Sequence, residues 1–333
     1  MGDPGGIGPE ITVKSSLHLV KSGSPIRPVI IGSQECVSGV LKSLNSKTGL
    51  NVIDLNSFSE ARYNPALLNI IDTSKESYRH VKSGKINPRY AKDTESFIST
   101  AVDLSLRNKI AGFVTAPINK EMMIEGGARF GGHTELLGHL LNSENYAMLF
   151  YSKKIITVLA TIHVPLRNVP GNISKGLIKR IIEISFKSMS IDFGVGKPRI
   201  ALLGLNPHAG ENGNMGSEER DVIIPAMSEL KKKGIDVHGP YPSDSFYARR
   251  YRDYDLVVSM YHDQALIPFK LLSFDGGANV TIGLEVVRTS PVHGTAYDIA
   301  GKNIASTASM LEAIRLSSRI SKNRRKHKVW KEK

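Results

Sequence analysis

KIITVLATIH, residues 154–163, is a short run of β-branched and aliphatic residues that closes on a histidine. The pattern returns twice, as RIALLGLNPH at 199–208 and DLVVSMYH at 255–262. Apolar runs of this length without polar alternation read as strands covered on both faces, which is how a parallel sheet is written. Parallel strands end along one edge, and ligands of open α/β sheets bind at that carboxyl edge. His163, His208 and His262 therefore fall at equivalent strand ends. A lone histidine is usually structural. Three so placed, with a coordination position left open, form the pattern of a catalytic metal site.

Working outward, strand-like and helix-like stretches alternate. RPVIIG (27–32) precedes a helical 34–44 segment; KIAGFVTA (109–116) and ENYAMLFY (144–151) read as strands; SKGLIKRIIEISFKSMS (174–190) and NIASTASMLEAIRLSSRI (303–320) read as helices. This alternation predicts an α/β fold with a mostly parallel central sheet. No repeat or low-complexity linker marks a boundary. Residues 1–318 are accordingly read as one catalytic unit of two interleaved α/β lobes around a cleft, and residues 319–333 as a flexible basic tail. The chain opens on MGDPGGIGPEI, a glycine-rich turn and helix start with Pro9 in the first turn, where a doubly wound protein would supply a strand. A start assigned downstream of the true one is the favoured reading.

Composition narrows the function classes. The 333 residues are 41% hydrophobic and 23% charged, an ordinary globular balance. No stretch approaches the roughly 18 apolar residues of a membrane span, and no signal-peptide pattern leads the chain, so a cytoplasmic protein is expected. The single Cys36 excludes an intramolecular disulfide or thiolate cluster, which leaves His, Asp and Glu as metal ligands. The net charge is +13, of which residues 319–333 carry +7. A basic nucleic-acid-binding module is thus the non-enzymatic alternative, and a solvated terminus on an enzyme of anionic metabolites the preferred one.

Several motifs carry chemistry. GDPGGIGPE (2–10) lacks a preceding strand and fails the dinucleotide-fingerprint context, leaving a tight turn into a helix. NPHAGENGNMGSEE (206–219) follows a strand, is rich in residues that tolerate positive φ, and offers His208, Glu211, Glu218 and Glu219 as ligands or polar contacts. In HDQALIPFK (262–270), Lys270 can meet a phosphate or carboxylate, or simply pair with Asp263. In GGHTELLGH (131–139), Thr134 reads as a helix cap or an oxyanion contact, and His133 has no comparable structural role. GLEVVRTSPVHGTAYDIAGKNIA (283–305) presents the planar fork of Arg288, with His293 and Asp298 on a loop that suits ribose hydroxyls or a plain turn.

GDPGGIGPE, VTAPINK, GGHTELL, NPHAGE with its GSEE ending, HDQALIPFK and RTSPVHGTAYDIAGK together resemble, in order and over nearly the whole chain, the 4-hydroxythreonine-4-phosphate dehydrogenases of pyridoxal phosphate biosynthesis. The resemblance implies a two-lobed α/β/α fold like isopropylmalate dehydrogenase rather than a classical Rossmann domain. It implies oxidation and decarboxylation of 4-phosphooxy-L-threonine to 3-amino-2-oxopropyl phosphate and carbon dioxide, with NAD or NADP and one divalent ion (Zn, Mg, Co or Mn). The family's metal ligands fall on His163, His208 and His262, its substrate contacts on His133, Thr134, Lys270, Asn279 and Arg288, and its cofactor contacts on His293, Gly294 and Asp298; Asp244 matches a position near the metal. The first three histidines and Lys270 are the implied catalytic set. A homodimer sharing its active sites is also implied. Ala265, Glu285, Val292 and Asn303 depart from the family pattern, three of them around the cofactor loop, which keeps a threonate or erythronate 4-phosphate dehydrogenase as the alternative.

Overall fold

The computed structural model describes residues 1–55, 61, 63–273 and 276–327. The chain divides into two compact units, Met1–Ser143 with Val286–Ser318, and Glu144–Glu285 with Arg319–Lys333. The chain passes between the units three times.

In the first unit, α1 (Gly8–Lys21), β1 (Val29–Gly32), α2 (Gln34–Ser43), β2 (Gly49–Val52) and β3 (Leu67–Asp72) come first. They are followed by α3 (Ala91–Leu106), β4 (Phe113–Val114), α4 (Lys120–Glu125) and α5 (His133–Leu140). β1, β3 and β2 form a parallel sheet in that order, with α1 and α2 closing a core of Val13, Leu17, Val37, Leu41, Leu68 and Ile70. Local sequence sets the helix starts: Ser33 caps α2 by accepting from Cys36 N, and Asn119 Oδ1 caps α4 by accepting from Met122 N at 2.8 Å.

The second unit holds β5 (Ala147–Tyr151), β6 (Ile156–Leu159), α6 (Val169–Asn172), α7 (Lys175–Ile191), β7 (Ile200–Leu203) and α8 (Ile224–Lys232). It continues with β8 (Val237–Tyr241), α9 (Ser243–Arg249), β9 (Leu256–Ser259), α10 (His262–Leu272) and β10 (Ala278–Ile282). The strand order is β10-β5-β6-β9-β7-β8. β6, β9, β7 and β8 run parallel, whereas β5 is antiparallel to both β6 and β10. Every residue of β5, β7 and β9 is buried, as the unalternated sequence required. The buried hydroxyls of β6 and β9 are satisfied: Thr157 Oγ1 donates to Val257 O at 3.1 Å and lies 3.3 Å from Ser259 Oγ.

The chain returns to the first unit with β11 (Arg288–Pro291), parallel to β4, and enters α11 (Ala308–Lys326). Among the described residues most strand pairings are parallel, so the fold is mixed α/β with a mostly parallel sheet. Two expectations change. KIAGFVTA contributes only the two residues of β4, preceded by Gly112, where a Cβ would stand 2.8 Å from Ser317 Oγ and 2.9 Å from Val287 Cβ. The segment from Arg319 is not a free tail but remains helical to Lys326, since the buried Arg324 donates to both carboxylate oxygens of Asp192 at 2.6 and 3.1 Å and to the carbonyls of Leu284 and Glu285 at 3.0 Å. Residues 328–333 of that segment lie outside the described residues.

Candidate active site

In the second unit, registers of Leu159 with Ser259 and of Leu202 with Val258 align the carboxyl ends of β6, β9 and β7. His163, His262 and His208 follow those ends. The rings of His163 and His262 lie 5.8 Å apart, centre to centre. Two imidazoles sharing one ion through bonds of about 2.0–2.1 Å would place their ring centres on the order of 5–6 Å apart, so the pair fits a divalent cation. His262 opens α10, and its Nδ1 donates to Asp263 Oδ1 at 2.7 Å, which leaves Nε2 as the ligating nitrogen. Asp263 is therefore engaged with His262 and not with Lys270, which is exposed at the far end of α10.

His208 stands apart. No group of three His, Cys, Asp or Glu residues among the described residues is arranged to hold a metal, so the chain brings two of its three candidate histidines together. His208 lies on a left-handed turn: His208, Ala209, Gly210, Glu211 and Asn212 all adopt positive φ, between 42° and 79°. Left-handed backbone costs about 1–2 kcal/mol per non-glycine residue, and persists only where its surroundings impose it. Glu219 does so. Its buried Oε1 accepts from Leu205 N and Asn206 N at 2.7 Å each, and Oε2 accepts from Asn206 Nδ2 at 2.9 Å, while Glu218 accepts from the same amide at 2.7 Å. Of the acidic residues in this motif, these two thus serve the loop itself, and Glu211 sits exposed on the turn. Asp244 is exposed in the first turn of α9. Asn279, on β10 opposite Phe150, has a buried Oδ1 without a partner.

In the first unit, Arg288 starts β11 and is buried; its Nε and Nη2 donate to Thr115 Oγ1 at 3.1 and 2.7 Å. Burial lowers its guanidinium to about 10, which leaves it cationic at neutral pH. His133 is the first residue of α5, and its Nε2 is buried and unpartnered. Desolvation, followed by the positive charges of Arg288 and the N-terminus, holds its pKa well below the usual imidazole range, so the ring is neutral. Thr134 is not the cap of α5: the cap position is Gly132, and Thr134 is half-buried inside the first turn. The capping alternative for Thr134 is corrected accordingly.

The glycine-rich opening packs against the 293–298 loop. Ile7 N donates to Thr295 O at 2.8 Å, and the Tyr297 hydroxyl donates to Asp3 Oδ2. A Cβ on Gly2 would stand 2.1 Å from Pro117 O, and one on Gly5 2.1 Å from Lys85 O, so backbone approach explains those glycines. Pro9 takes its place in the first turn of α1. His293 Nδ1 contacts Gly294 O at 3.2 Å and its Nε2 is buried and unpartnered, while Gly294 and Asp298 are exposed. Sequence reading passed over Thr115, the partner of Arg288, although it lies inside VTAPINK; it also passed over Gln264 and Asp3. None carries a local periodicity that would mark it.

Residues 24–317 match the family model described as "Pyridoxal phosphate biosynthetic protein PdxA". A 4-hydroxythreonine-4-phosphate dehydrogenase of Sulfurihydrogenibium sp. is 38% identical over 98% of this chain and 98% of its own. A D-threonate 4-phosphate dehydrogenase of Salmonella typhimurium is 38% identical over 96% of this chain and 97% of its own. Among solved structures, a 4-hydroxythreonine-4-phosphate dehydrogenase from Klebsiella pneumoniae superposes with a TM-score of 0.85 at 37% identity, covering 96% of this chain and 98% of that one.

Proposed function

The chain belongs to the PdxA family of dehydrogenases, and from that premise we propose that it oxidises and decarboxylates 4-phosphooxy-L-threonine to 3-amino-2-oxopropyl phosphate and carbon dioxide. The observation that carries the reading is the His163–His262 pair at the ends of two neighbouring parallel strands, one ring already held by a carboxylate. These two imidazoles would hold a divalent ion, with His208 completing the set within the chain or across a homodimer. When bound, the ion supplies Lewis acidity to the substrate alcohol and a nicotinamide (NAD or NADP) supplies the hydride acceptor.

The remaining roles belong to the chain's own groups. Arg288 offers a buried cation for a carboxylate or phosphate, already oriented by Thr115. The neutral His133 brings an unpartnered Nε2 that can bond a substrate oxygen or amine without adding charge. Lys270 supplies a second cation, and Asn279 Oδ1 an acceptor for a substrate hydroxyl or ammonium. His293, Gly294 and Asp298 would line the nicotinamide cofactor's side. Fixing both anionic ends of a small substrate limits its rotation and aligns the reacting carbon.

A homodimer fits the surface. Ile267 and Leu271, one turn apart on α10, are 60% and 80% exposed, and Leu166, just past His163, is 69% exposed. A second copy covering them would bury apolar area beside the histidines.

The second reading, a D-threonate 4-phosphate dehydrogenase, is favoured by a relative of that name at the same 38% identity. Reduced-nicotinamide absorbance, followed with each phosphorylated acid and with Zn²⁺, Mg²⁺, Mn²⁺ or Co²⁺, separates the two. Turnover of 4-phosphooxy-L-threonine at a kcat/KM at least tenfold above the threonates supports the first reading; the reverse ratio selects the second, and no turnover of any overturns both.

A further inference from the structure

Three strand ends of the second unit are joined by one side chain, and a fourth is joined through the backbone of one of its partners. Gln264, in the first turn of α10, is buried, and its amide uses both its donor hydrogens and an acceptor. Oε1 accepts from Met260 N at 2.6 Å, at the end of β9. Nε2 donates to Gly204 O at 2.7 Å, at the end of β7, and to Ser243 Oγ at 2.6 Å, where β8 gives way to α9. Met260 carries the connection to β6: its carbonyl accepts from Thr161 N at 3.1 Å and from Thr161 Oγ1 at 2.7 Å.

Each bond lies within a few residues of a candidate ligand. Thr161 precedes His163 by two positions, Gln264 follows His262 by two, and Gly204 precedes His208 by four. Ser243 adjoins Asp244. An apolar residue of the same size would fill the space equally well, yet it would leave Met260 N, Gly204 O and Ser243 Oγ without these bonds. A buried polar side chain is costly unless fully satisfied, and when fully satisfied it fixes a single arrangement.

We propose that Gln264 is a positioning residue: through Met260, Gly204 and Ser243 it sets the spacing of the strand ends that carry His163 and His262, and so the geometry in which that pair holds a divalent ion. The role rests on the metal reading above. It differs from a purely structural one in what it controls. A structural amide changes how much of the protein folds; a positioning amide changes the affinity and coordination of the protein that is folded.

Cobalt(II) titration of the folded protein, read by visible absorption and alongside the unfolding midpoint without metal, makes the distinction. Gln264→Met keeps the volume and removes all three bonds, and Gln264→Glu keeps the acceptor for Met260 but loses both donors. Both are expected to weaken cobalt binding about 10–100-fold and to alter its spectrum, the range usual for residues that orient metal ligands. Should Gln264→Met not fold, Gln264→Glu carries the test. Wild-type affinity and spectrum in the folded Gln264 variants, with binding weakened in His163→Ala, overturns the positioning role alone. No cobalt binding by the wild type, or binding untouched by His163→Ala and His208→Ala, overturns the metal reading and this role with it.

Discussion

His133 joins burial to ionisation. Its folded pKa lies below the 6.5 of free imidazole, chiefly through desolvation. As pH falls the unfolded chain takes the proton first, so this histidine contributes stability that is complete above 6.5 and lost as pH drops from there through the folded value. Denaturant unfolding of His133→Gln should show a shallower loss of stability between about pH 7 and about pH 5 than the wild type; parallel profiles would contradict the assignment. Lys270→Ala tests the anion side. It should raise KM for the phosphorylated substrate about tenfold or more, with a much smaller effect on a dephosphorylated analogue, the loss expected of a charge-assisted contact of about 1.5–3 kcal/mol. At this scale the strand-end histidines and Arg288 were legible because residue type and place in a pattern coincide. Gln264 and Glu219 were not. Their meaning lies in bonds to backbone groups distant in sequence or on another turn, such as Gln264 to Gly204, and such bonds leave no periodic trace.

The element that departs most from common geometry is the left-handed turn at 208–212. Its composition announced tolerance of positive φ, but the positions besides His208 and Gly210 are Ala, Glu and Asn, and the carboxylate of Glu219 fixes the backbone at Leu205 and Asn206 that leads into them. Gly210 has φ +79°, and a Cβ there would stand 2.6 Å from Glu219 Oε2. Gly210→Ala should therefore destabilise the protein by about 1–3 kcal/mol in urea unfolding, the usual toll of overpacking, and weaken divalent-metal binding with it. Neutral stability in that variant would mean that Glu219 does not brace the turn. The buried strands β5, β7 and β9 and the helix α7 were readable from unalternated or amphipathic runs. α11 was misjudged at both ends. Its start waits until Ala308, and its continuation past Arg319 depends on a partner, Asp192, that no local pattern discloses.

For the molecule as a whole, the basic excess needs reinterpretation. Arg324 is a buried, doubly bonded partner of Asp192, and Arg319 lies over the Tyr151 ring with its guanidinium 4.7 Å from the centroid. Two of the cations counted toward a nucleic-acid arm thus belong to the packing of the second unit. Arg324→Ala leaves Asp192 buried without its ion pair and should cost about 3–5 kcal/mol in thermal or urea unfolding. Deleting residues 319–333 should cost at least as much, instead of leaving a fully stable enzyme as removal of a solvated tail would. The proposed homodimer is tested by Leu271→Lys: light scattering is expected to find a dimeric wild type and a monomeric variant, and an unchanged mass would place the interface elsewhere.

The threefold passage of the chain between units also orders events on the ribosome. Residues Glu144–Glu285 are made as one continuous stretch, whereas Met1–Ser143 must await Val286–Ser318, and β4 waits that long for its parallel neighbour β11. At synthesis rates of about 5–20 residues per second, the nascent first unit stays incomplete for on the order of ten seconds while the strands of the second are already emerging. During that interval the β1-β3-β2 sheet already has α1 and α2 against it, so the apolar surface left waiting is that of Ile7, Ile11 and Ala116, whose partners Ala300, Ala305 and Met310 emerge last.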